Sequence, residues 1–486
     1  MKITKRAFMR LLALGGTALA GFQSISLRAD TQDEPVGHPR LMQGPMLGAV
    51  SPNSILIWVR VSEEYAVSVE YSEAPHFIES KRSLSVRAHS ETDLTATVEI
   101  TNLAPETRYY YRVLLNGRLP KYSPDGSSDF FVTAPAPGTP SRFTVGTGSC
   151  ARYVEDPHQL IWNVVAERRP DLFVWLGDNI YGDTSKAEVL SAEYQRQRDV
   201  VSYAPVGPRV PQLAIWDDHD SGVDNGDRTN AAKDTALEVF RNYWANPDYG
   251  LKDAPGVFFS YQYGGVDFFL LDGRYYRDPN AMPDHEGKTM LGPQQKAWLK
   301  QALKSSTAPF KLLITGGGWS QAKGVGGDSW ASFIYERNEI FDFIRDEKIN
   351  GVVLISGDSH VAELNAIPWS EKGGYDFYDL VSSPLAQDTT DNWLERRPER
   401  RIRQVYFGSV TFGLLTFDMT GSDPALEYNS INYLGDTVWK PFRIKASELT
   451  NGVSTWETKM DDLSRERFES DRDGGEYYLP LPQFRD

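Results

Sequence analysis

The sequence predicts two unlike units in one chain, an all-β unit followed by a larger, layered α/β unit. Up to about residue 135, short runs of β-branched and aromatic residues alternate with turn signals. From about residue 141, short apolar runs alternate with stretches of helical periodicity, the pattern of strand–helix repeats. Several of those apolar runs end in clusters of Cys, Asp and His. In layered α/β proteins ligands gather at the carboxyl ends of strands, so the clusters locate a site.

The chain opens on a basic segment, Lys2, Lys5, Arg6 and Arg10, followed by the apolar run Leu11 to Phe22. That run has the length of a signal-peptide core and is too short to span a bilayer comfortably. Thr4-Lys5-Arg6-Ala7-Phe8-Met9-Arg10 resembles a twin-arginine export signal with Lys in place of the first Arg. Residues 1–29 therefore read as an export signal, and the mature protein as periplasmic or secreted. The competing reading is an ordinary secretory signal or a membrane anchor. No other long apolar run follows, so no transmembrane segment is expected after signal removal.

The all-β unit is placed at 41–135. Ser54-Ile55-Leu56-Ile57-Trp58-Val59-Arg60-Val61 reads as a strand, Val67 to Tyr71 alternates, and Thr97 to Ile100 is a further short strand. Leu103 to Val113, with Tyr109-Tyr110-Tyr111, resembles the loop-plus-strand signature of fibronectin type III-like sandwiches. Ala134-Pro135-Ala136-Pro137-Gly138-Thr139-Pro140 is a Pro-rich linker.

The α/β unit is placed at 141–425. Strands are expected at 143–147, 172–176, 213–216, 267–271, 311–315 and 352–356, with more strands between 375 and about 420. Helices are expected near 157–168, 186–199, 231–246, 293–304 and 333–347. From about 430 the chain reads as polar and irregular. The segment 426–486 is expected to be an extension that packs on the preceding unit. The charged run Asp461–Asp473 reads as a solvated face.

Composition narrows the function. A formal charge of −15 over 486 residues argues against a nucleic-acid or anionic-membrane binder, which would need a basic face. The chain has one cysteine, Cys150, so it has no internal disulfide. A lone thiol in an exported protein is either buried or a metal ligand.

The strand-end clusters are Gly148-Ser149-Cys150, Gly177-Asp178-Asn179-Ile180-Tyr181-Gly182-Asp183, Trp216-Asp217-Asp218-His219-Asp220 and Ser356-Gly357-Asp358-Ser359-His360. Any one of them is explicable as a turn. Together they gather thiolate, carboxylate and imidazole donors, the residue types that hold metals.

These clusters resemble the calcineurin-like metallophosphoesterases, and within them the alkaline phosphatase D (PhoD-like) family. Leu271-Asp272-Gly273-Arg274-Tyr275-Tyr276-Arg277, the segment Leu291 to Leu299, and Leu380-Val381-Ser382-Ser383-Pro384 resemble that family's pattern too. The resemblance implies a metallophosphoesterase domain of four layers, a β-sandwich flanked by helices. It implies two adjacent metals bridged by Asp178. Cys150, Tyr181 and His360 would complete one site, and Asp218 and Asp358 would belong to the other. His219 would stand beside the leaving group. Fe³⁺ and Ca²⁺ are the implied metals, with Mg²⁺, Mn²⁺ and Zn²⁺ as alternatives.

The donor chemistry agrees with that division. Thiolate and phenolate suit a ferric ion, and oxygen-rich sites suit hard cations. Where many two-metal phosphoesterases carry a further His, this chain reads Thr315-Gly316-Gly317-Gly318-Trp319-Ser320, which favours Ca²⁺. Arg152 is a candidate for contacting a phosphate oxygen, and Asp224 and Asn225 are further candidates as ligands. The expected reaction is hydrolysis of small-molecule or polymeric phosphate esters by a metal-bound hydroxide at a two-metal site. The alternatives are a phosphodiesterase or phospholipase D-like hydrolase of phospholipid or teichoic-acid-like polymers, and a non-catalytic, metal-stabilised binding protein. Cys150 fails as a nucleophile of known thiol-based phosphatase or sulfatase type on spacing. Position 156 is Asp where a Cys-x5-Arg loop needs Arg, and Ala151-Arg152-Tyr153-Val154 lacks a Cys-x-Pro-x-Arg pattern.

Overall fold

The structure is a computed structural model and describes residues 38–121, 129–391 and 396–474. The export-signal reading of 1–29 and the extreme C-terminus lie outside the described residues.

The N-terminal β-rich domain holds two antiparallel sheets. Strands β1 (Leu41–Val50), β2 (Ser54–Val61), β3 (Ala66–Ser72), β4 (Lys81–Arg82), β5 (Val86–Arg87), β6 (Thr95–Thr101), β7 (Arg108–Leu115) and β8 (Phe130–Val132) follow in order. One sheet runs β1-β2-β6; the other runs β4-β3-β7-β8, with β5 also pairing β3. Alternation along β2 buries Ile55, Ile57 and Val59, the period-two signature of a strand with one face in a core.

The α/β core contains two large mixed sheets. The first comprises β9 (Arg142–Gly148), β10 (Leu172–Leu176) and β11 (Gln212–Ile215), which run parallel in the order β11-β10-β9. Antiparallel strands extend it through β21 (Thr411–Asp418), β22 (Ala425–Asn432) and β23 (Phe442–Lys445). After the small hairpin β12 (Gly250–Leu251) and β13 (Ala254–Pro255), the second sheet is built from β14 (Phe259–Tyr263), β15 (Val266–Leu270), β16 (Phe310–Ile314), β17 (Val352–Ser356), β18 (Ala362–Ile367), β19 (Phe377–Val381) and β20 (Arg400–Tyr406). Its order is β14-β15-β16-β17-β19-β18-β20, with β15, β16, β17 and β19 parallel. β10, β16 and β17 are buried at every position, as expected of parallel strands covered on both faces. Phe417 of the first sheet meets Phe310 of the second at 5.8 Å, so aromatic side chains join the two.

Between strands lie helices α1 (Ile161–Arg168), α2 (Ala187–Arg198), the single turn α3 (Asp218–Ser221), α4 (Lys233–Tyr243), α5 (Gly292–Ser305) and α6 (Ile334–Asp346). The amphipathic stretches of the sequence become these helices with ends displaced by a few residues. The tail is a correction. β22 and β23, then α7 (Trp456–Lys459) and α8 (Asp462–Gly474), occupy a segment that reads as irregular. The strand β22 is disguised because buried Ser430 and Asn432 interrupt its apolar positions Leu426, Tyr428 and Ile431.

The β-rich domain docks on the core through backbone and polar contacts. The N–H groups of Leu47 and Ala49 donate to the carbonyls of Gly207 and Ala245, each at 2.9 Å. Gly48 permits this approach, since a Cβ there would lie 2.3 Å from the Ala245 Cβ. The Trp58 indole donates to the Asn242 carbonyl at 2.7 Å and the Tyr111 hydroxyl to that of Pro208 at 2.8 Å. Asp93 gathers Arg60, Gln195 and Tyr243 around one carboxylate.

Candidate metal centre

The carboxyl ends of β9, β10, β11 and β17 converge, and the chain leaving each delivers a donor. Cys150, Asp178, Asp358 and His360 have φ of 60°, 50°, 63° and 55°. That left-handed backbone is uncommon for residues with a side chain and concentrates at functional sites. Neighbouring loops hold the geometry. The N–H groups of Asp358 and His360 donate to Ser149 Oγ and Ser383 Oγ, each at 3.1 Å, and Ser383 Oγ lies 3.3 Å from Cys150 Sγ. Asp220 staples the second and third loops. Its carboxylate accepts from the N–H groups of Asn179 at 3.1 Å and Asp217 at 3.0 Å, and from the Tyr194 hydroxyl at 3.2 Å.

At these strand ends, three groups of donors come within 4.8 Å of one another: Cys150, Asp178 and His360; Asp178, Asp218 and His219; and Asp217, Asp328 and Asp358. Asp178 is common to the first two. Cys150 Sγ lies 3.4 Å from Asp178 Oδ2, and Tyr181 Oη lies 3.3 Å from His360 Nε2. Asp358 falls in neither of the groups that share Asp178; it groups with Asp217 and Asp328 and pairs with Lys323. Arg152 is at the edge of the cluster, with its guanidinium carbon 5.2 Å from the centre of the Tyr181 ring. A recess of about 100 Å³ opens there, lined by Arg152, Tyr181 and Asp183 among others.

The electrostatics are those of a site short of positive charge. Burial, reinforced by the charges of Asp218, Cys150, Asp217 and Asp358, pushes the Asp178 carboxyl well above the usual range. Burial and then Asp358 push the Cys150 thiol up to about 11. Burial also raises Asp217, against the pull of Arg274. Asp218 goes the other way: burial pushes it up, but the charges of Arg274 and His219 and the Asn225 N–H together hold it below its ordinary value. His219 is driven down by burial, but the hydrogen bond to Asp183 and the charges of Asp218, Asp183 and Asp224 win and lift it to about 9. Asp178 Oδ1, Asp218 Oδ1 and Asp217 Oδ2 are buried without a hydrogen-bond donor. Buried carboxylate oxygens rarely go unsatisfied, and bound cations resolve both the orphaned oxygens and the charge shortage. The donor set of thiol, phenol, imidazole and carboxylates fits metal ions.

Several participants escape sequence reasoning. Arg274, 2% exposed, binds Asp217 and Asp328 through its guanidinium and lies 3.5 Å from Asp218. Lys323 pairs with Asp358. Asp328 comes from the long Gly-rich loop after β16, well beyond the end of that strand. The stretch without His is explained by Gly316: a Cβ there would lie 2.4 Å from the Asp217 carboxyl carbon. Asp217 fills the space a side chain would take. Asn225 supports Asp218 through its backbone N–H at 2.8 Å, while its amide turns to Asp224.

A two-sheet α/β core with such a cluster at its strand ends defines a protein of the calcineurin-like metallophosphoesterase superfamily. Within it, the chain belongs to the PhoD-like phosphatase family: the family model matches residues 143–420, and the model of the PhoD-like phosphatase N-terminal domain matches 27–129. Alkaline phosphatase D of Bacillus subtilis (strain 168) is 25% identical over 373 residues, 64% of this chain. The match spans 62% of that relative's length. Among solved structures, one described as the structure of PhoD superposes with a TM-score of 0.70 at 19% identity, covering 91% of this chain and 98% of its own. Purple acid phosphatase PPD1 from yellow lupin (Lupinus luteus) seeds superposes at 0.59 with 12% identity, covering 84% of this chain and 74% of its own. Both likenesses concern the fold.

Proposed function

We propose that the protein is an exported, metal-dependent phosphoesterase of the alkaline phosphatase D type, hydrolysing phosphate esters at a two-metal site. The observation that carries this reading is Asp178. Its carboxylate is shared by two donor groups, and its Oδ1 is buried without a donor. Cys150, Asp178, Tyr181 and His360 would hold one cation, with Fe³⁺ favoured by the thiol and phenol. Asp178, Asp218 and Asp358 would hold the second, with Ca²⁺ favoured by the oxygen donors. The chemistry such a pair supplies when bound is Lewis acidity, which polarises phosphoryl oxygens and acidifies water.

The remaining roles fall to side chains. The Asp183 carboxylate accepts from His219 Nδ1, leaving Nε2 to give a proton to the departing alkoxide. Arg152 would contact a phosphate oxygen from the rim. Burial of Asp220 and its hydrogen bonds keep the loops that carry Asp178 and Asp218 in register.

The domain division is part of the same reading. We place a fibronectin type III-like sandwich at 41–135, a four-layer catalytic domain at 141–425 and an extension at 426–486. Support for the last comes from β22 and β23, which pair onto the core sheet. Export rests on residues 1–29. Among the described residues no helix is long and apolar enough to cross a membrane.

The test is a set of initial rates on p-nitrophenyl phosphate and bis-p-nitrophenyl phosphate from about pH 6 to about pH 10, with and without chelator. Chelator-sensitive hydrolysis supports the reading, and the rate ratio assigns monoester or diester preference. Metal-loaded protein that turns over neither ester contradicts it.

A further inference from the structure

The carboxylates assigned to the two cations differ in what already stands against them. Asp178, the carboxylate of the first set, forms no ion pair with a Lys or Arg among the described residues, and its Oδ1 is buried without a donor. Each carboxylate that belongs to the second set alone carries a positive side chain. Arg274 lies 3.5 Å from Asp218, and Lys323 pairs with Asp358.

The two standing charges are unlike. The side chains of Arg274 and Asp218 are 2% and 5% exposed, and the guanidinium is also bound by Asp217 and Asp328, so it is fixed. The side chains of Lys323 and Asp358 are 15% and 13% exposed, and the ammonium ends a flexible four-carbon stem. The base of that stem is held. Lys323 closes the single 3₁₀ turn Gln321–Lys323. The Gln321 N–H donates to Glu399 at 3.0 Å, and that of Ser320 to Asp379 at 3.2 Å. Ala322 is 3% exposed and packs with Val361 and Val405. Gly327 folds the following loop back so tightly that a Cβ there would lie 2.8 Å from the Lys323 carbonyl oxygen. The fold therefore places a tethered, movable ammonium on one ligand of the second cation.

A divalent cation that binds Asp358 meets the charge already on that carboxylate. Like charges a few ångströms apart repel, and partly buried ones are poorly screened by salt. The ammonium either stays and repels the ion or swings away and gives up its pair. Both routes weaken the ion's binding relative to a neutral side chain at this position.

We propose that Lys323 is a positioning residue that acts through Asp358 to keep the second cation weakly held and exchangeable, while the first cation stays with the chain. The proposal rests on the two-metal reading and adds to it a dependence of the site on the free divalent ion around the protein.

The full chain, dialysed against EGTA so that it keeps its first metal, is titrated calorimetrically with Ca²⁺ and, in parallel, with Mg²⁺ and Mn²⁺. Release of the ion is timed by stopped-flow mixing with a fluorescent chelator. Lys323→Gln should bind the ion about tenfold or more tightly than wild type and release it correspondingly slowly. Lys323→Arg, which keeps the charge, should behave as wild type. So should Lys300→Gln, which removes the same charge from the distant pair with Glu339. If thermal denaturation shows Lys323→Gln to be unfolded, Lys323→Met is read in its place. Equal or weaker binding by the folded neutral variant overturns the proposal, because the lysine would then only support Asp358. A gain shared by Lys323→Arg or Lys300→Gln overturns it too. The two failures separate. A wild type that takes up none of the three ions removes the two-metal reading itself. A wild type that takes one up, with Lys323→Gln no tighter, removes only the role of Lys323.

Discussion

His219 Nδ1 lies 2.8 Å from Asp183 Oδ1, and the imidazole ring packs against the Tyr181 ring, centre to centre 4.1 Å and tilted by 33°. Both contacts fix the ring's orientation, so it is held beside the cluster without costing further side-chain entropy. Replacing His219 by Ala should lower kcat about 10²–10⁴-fold, the usual worth of general acid assistance. The loss should be smaller for p-nitrophenyl esters, whose leaving group needs little protonation, than for alkyl esters. Metal content measured by mass spectrometry should stay at the wild-type level. Loss of metal together with activity would make His219 a ligand instead.

Tyr181 tests the identity of the first metal. A ferric–phenolate bond gives a visible absorption band, so purified wild-type protein should be coloured and Tyr181→Phe should bleach it. A colourless protein with full activity would remove iron from the assignment.

Arg274 is an inaccessible cation among Asp217, Asp218 and Asp328. Removing one partner from a buried charge network costs about 3–5 kcal/mol. Arg274→Met should therefore lower the denaturant midpoint sharply. Lys300→Ala, which breaks a partly exposed pair with Glu339, should cost less than about 1 kcal/mol. Chemical denaturation of the two variants side by side checks the contrast.

Asp93 makes the docking of the β-rich domain acid-sensitive. Burial pushes its carboxyl up, but hydrogen bonds from Arg60, Tyr243 and Gln195 and the Arg60 charge outweigh that and hold it below its ordinary value. A carboxyl depressed in the folded state adds stability that is complete above its unfolded value, about 3.9, and is lost as pH falls through the folded value. Asp93→Asn should thus be less stable than wild type at pH 7. The gap should narrow below about pH 4. Denaturant midpoints of both proteins at several pH values measure it, and a gap that widens in acid contradicts the assignment.

Much of this was legible in the sequence because the core strands are unbroken apolar runs. Leu172–Leu176 and Val352–Ser356 are buried at every residue and cannot be read as surface loops. The strand ends were legible for the same reason, since a run that stops at Gly-Asp or Gly-Ser-Cys marks its own boundary. What was hidden lacks that contrast. β14 is a half-exposed edge strand, and β22 carries polar residues into the core. Asp328 and Lys323 reach the cluster from a loop whose position is set by tertiary packing, and no local pattern in the sequence encodes that distance. Arg274 stood inside a motif that resembles the family's pattern, but only the buried carboxylates around it give it a physical task.

The most direct test of the central claim is the metal content and chelator response of wild type and Asp178→Asn measured together. Wild type should carry two metal equivalents per chain and hydrolyse p-nitrophenyl phosphate until chelated. Asp178→Asn should hold less metal and lose turnover. Undiminished hydrolysis by protein stripped of metal, or by Asp178→Asn, would contradict the account.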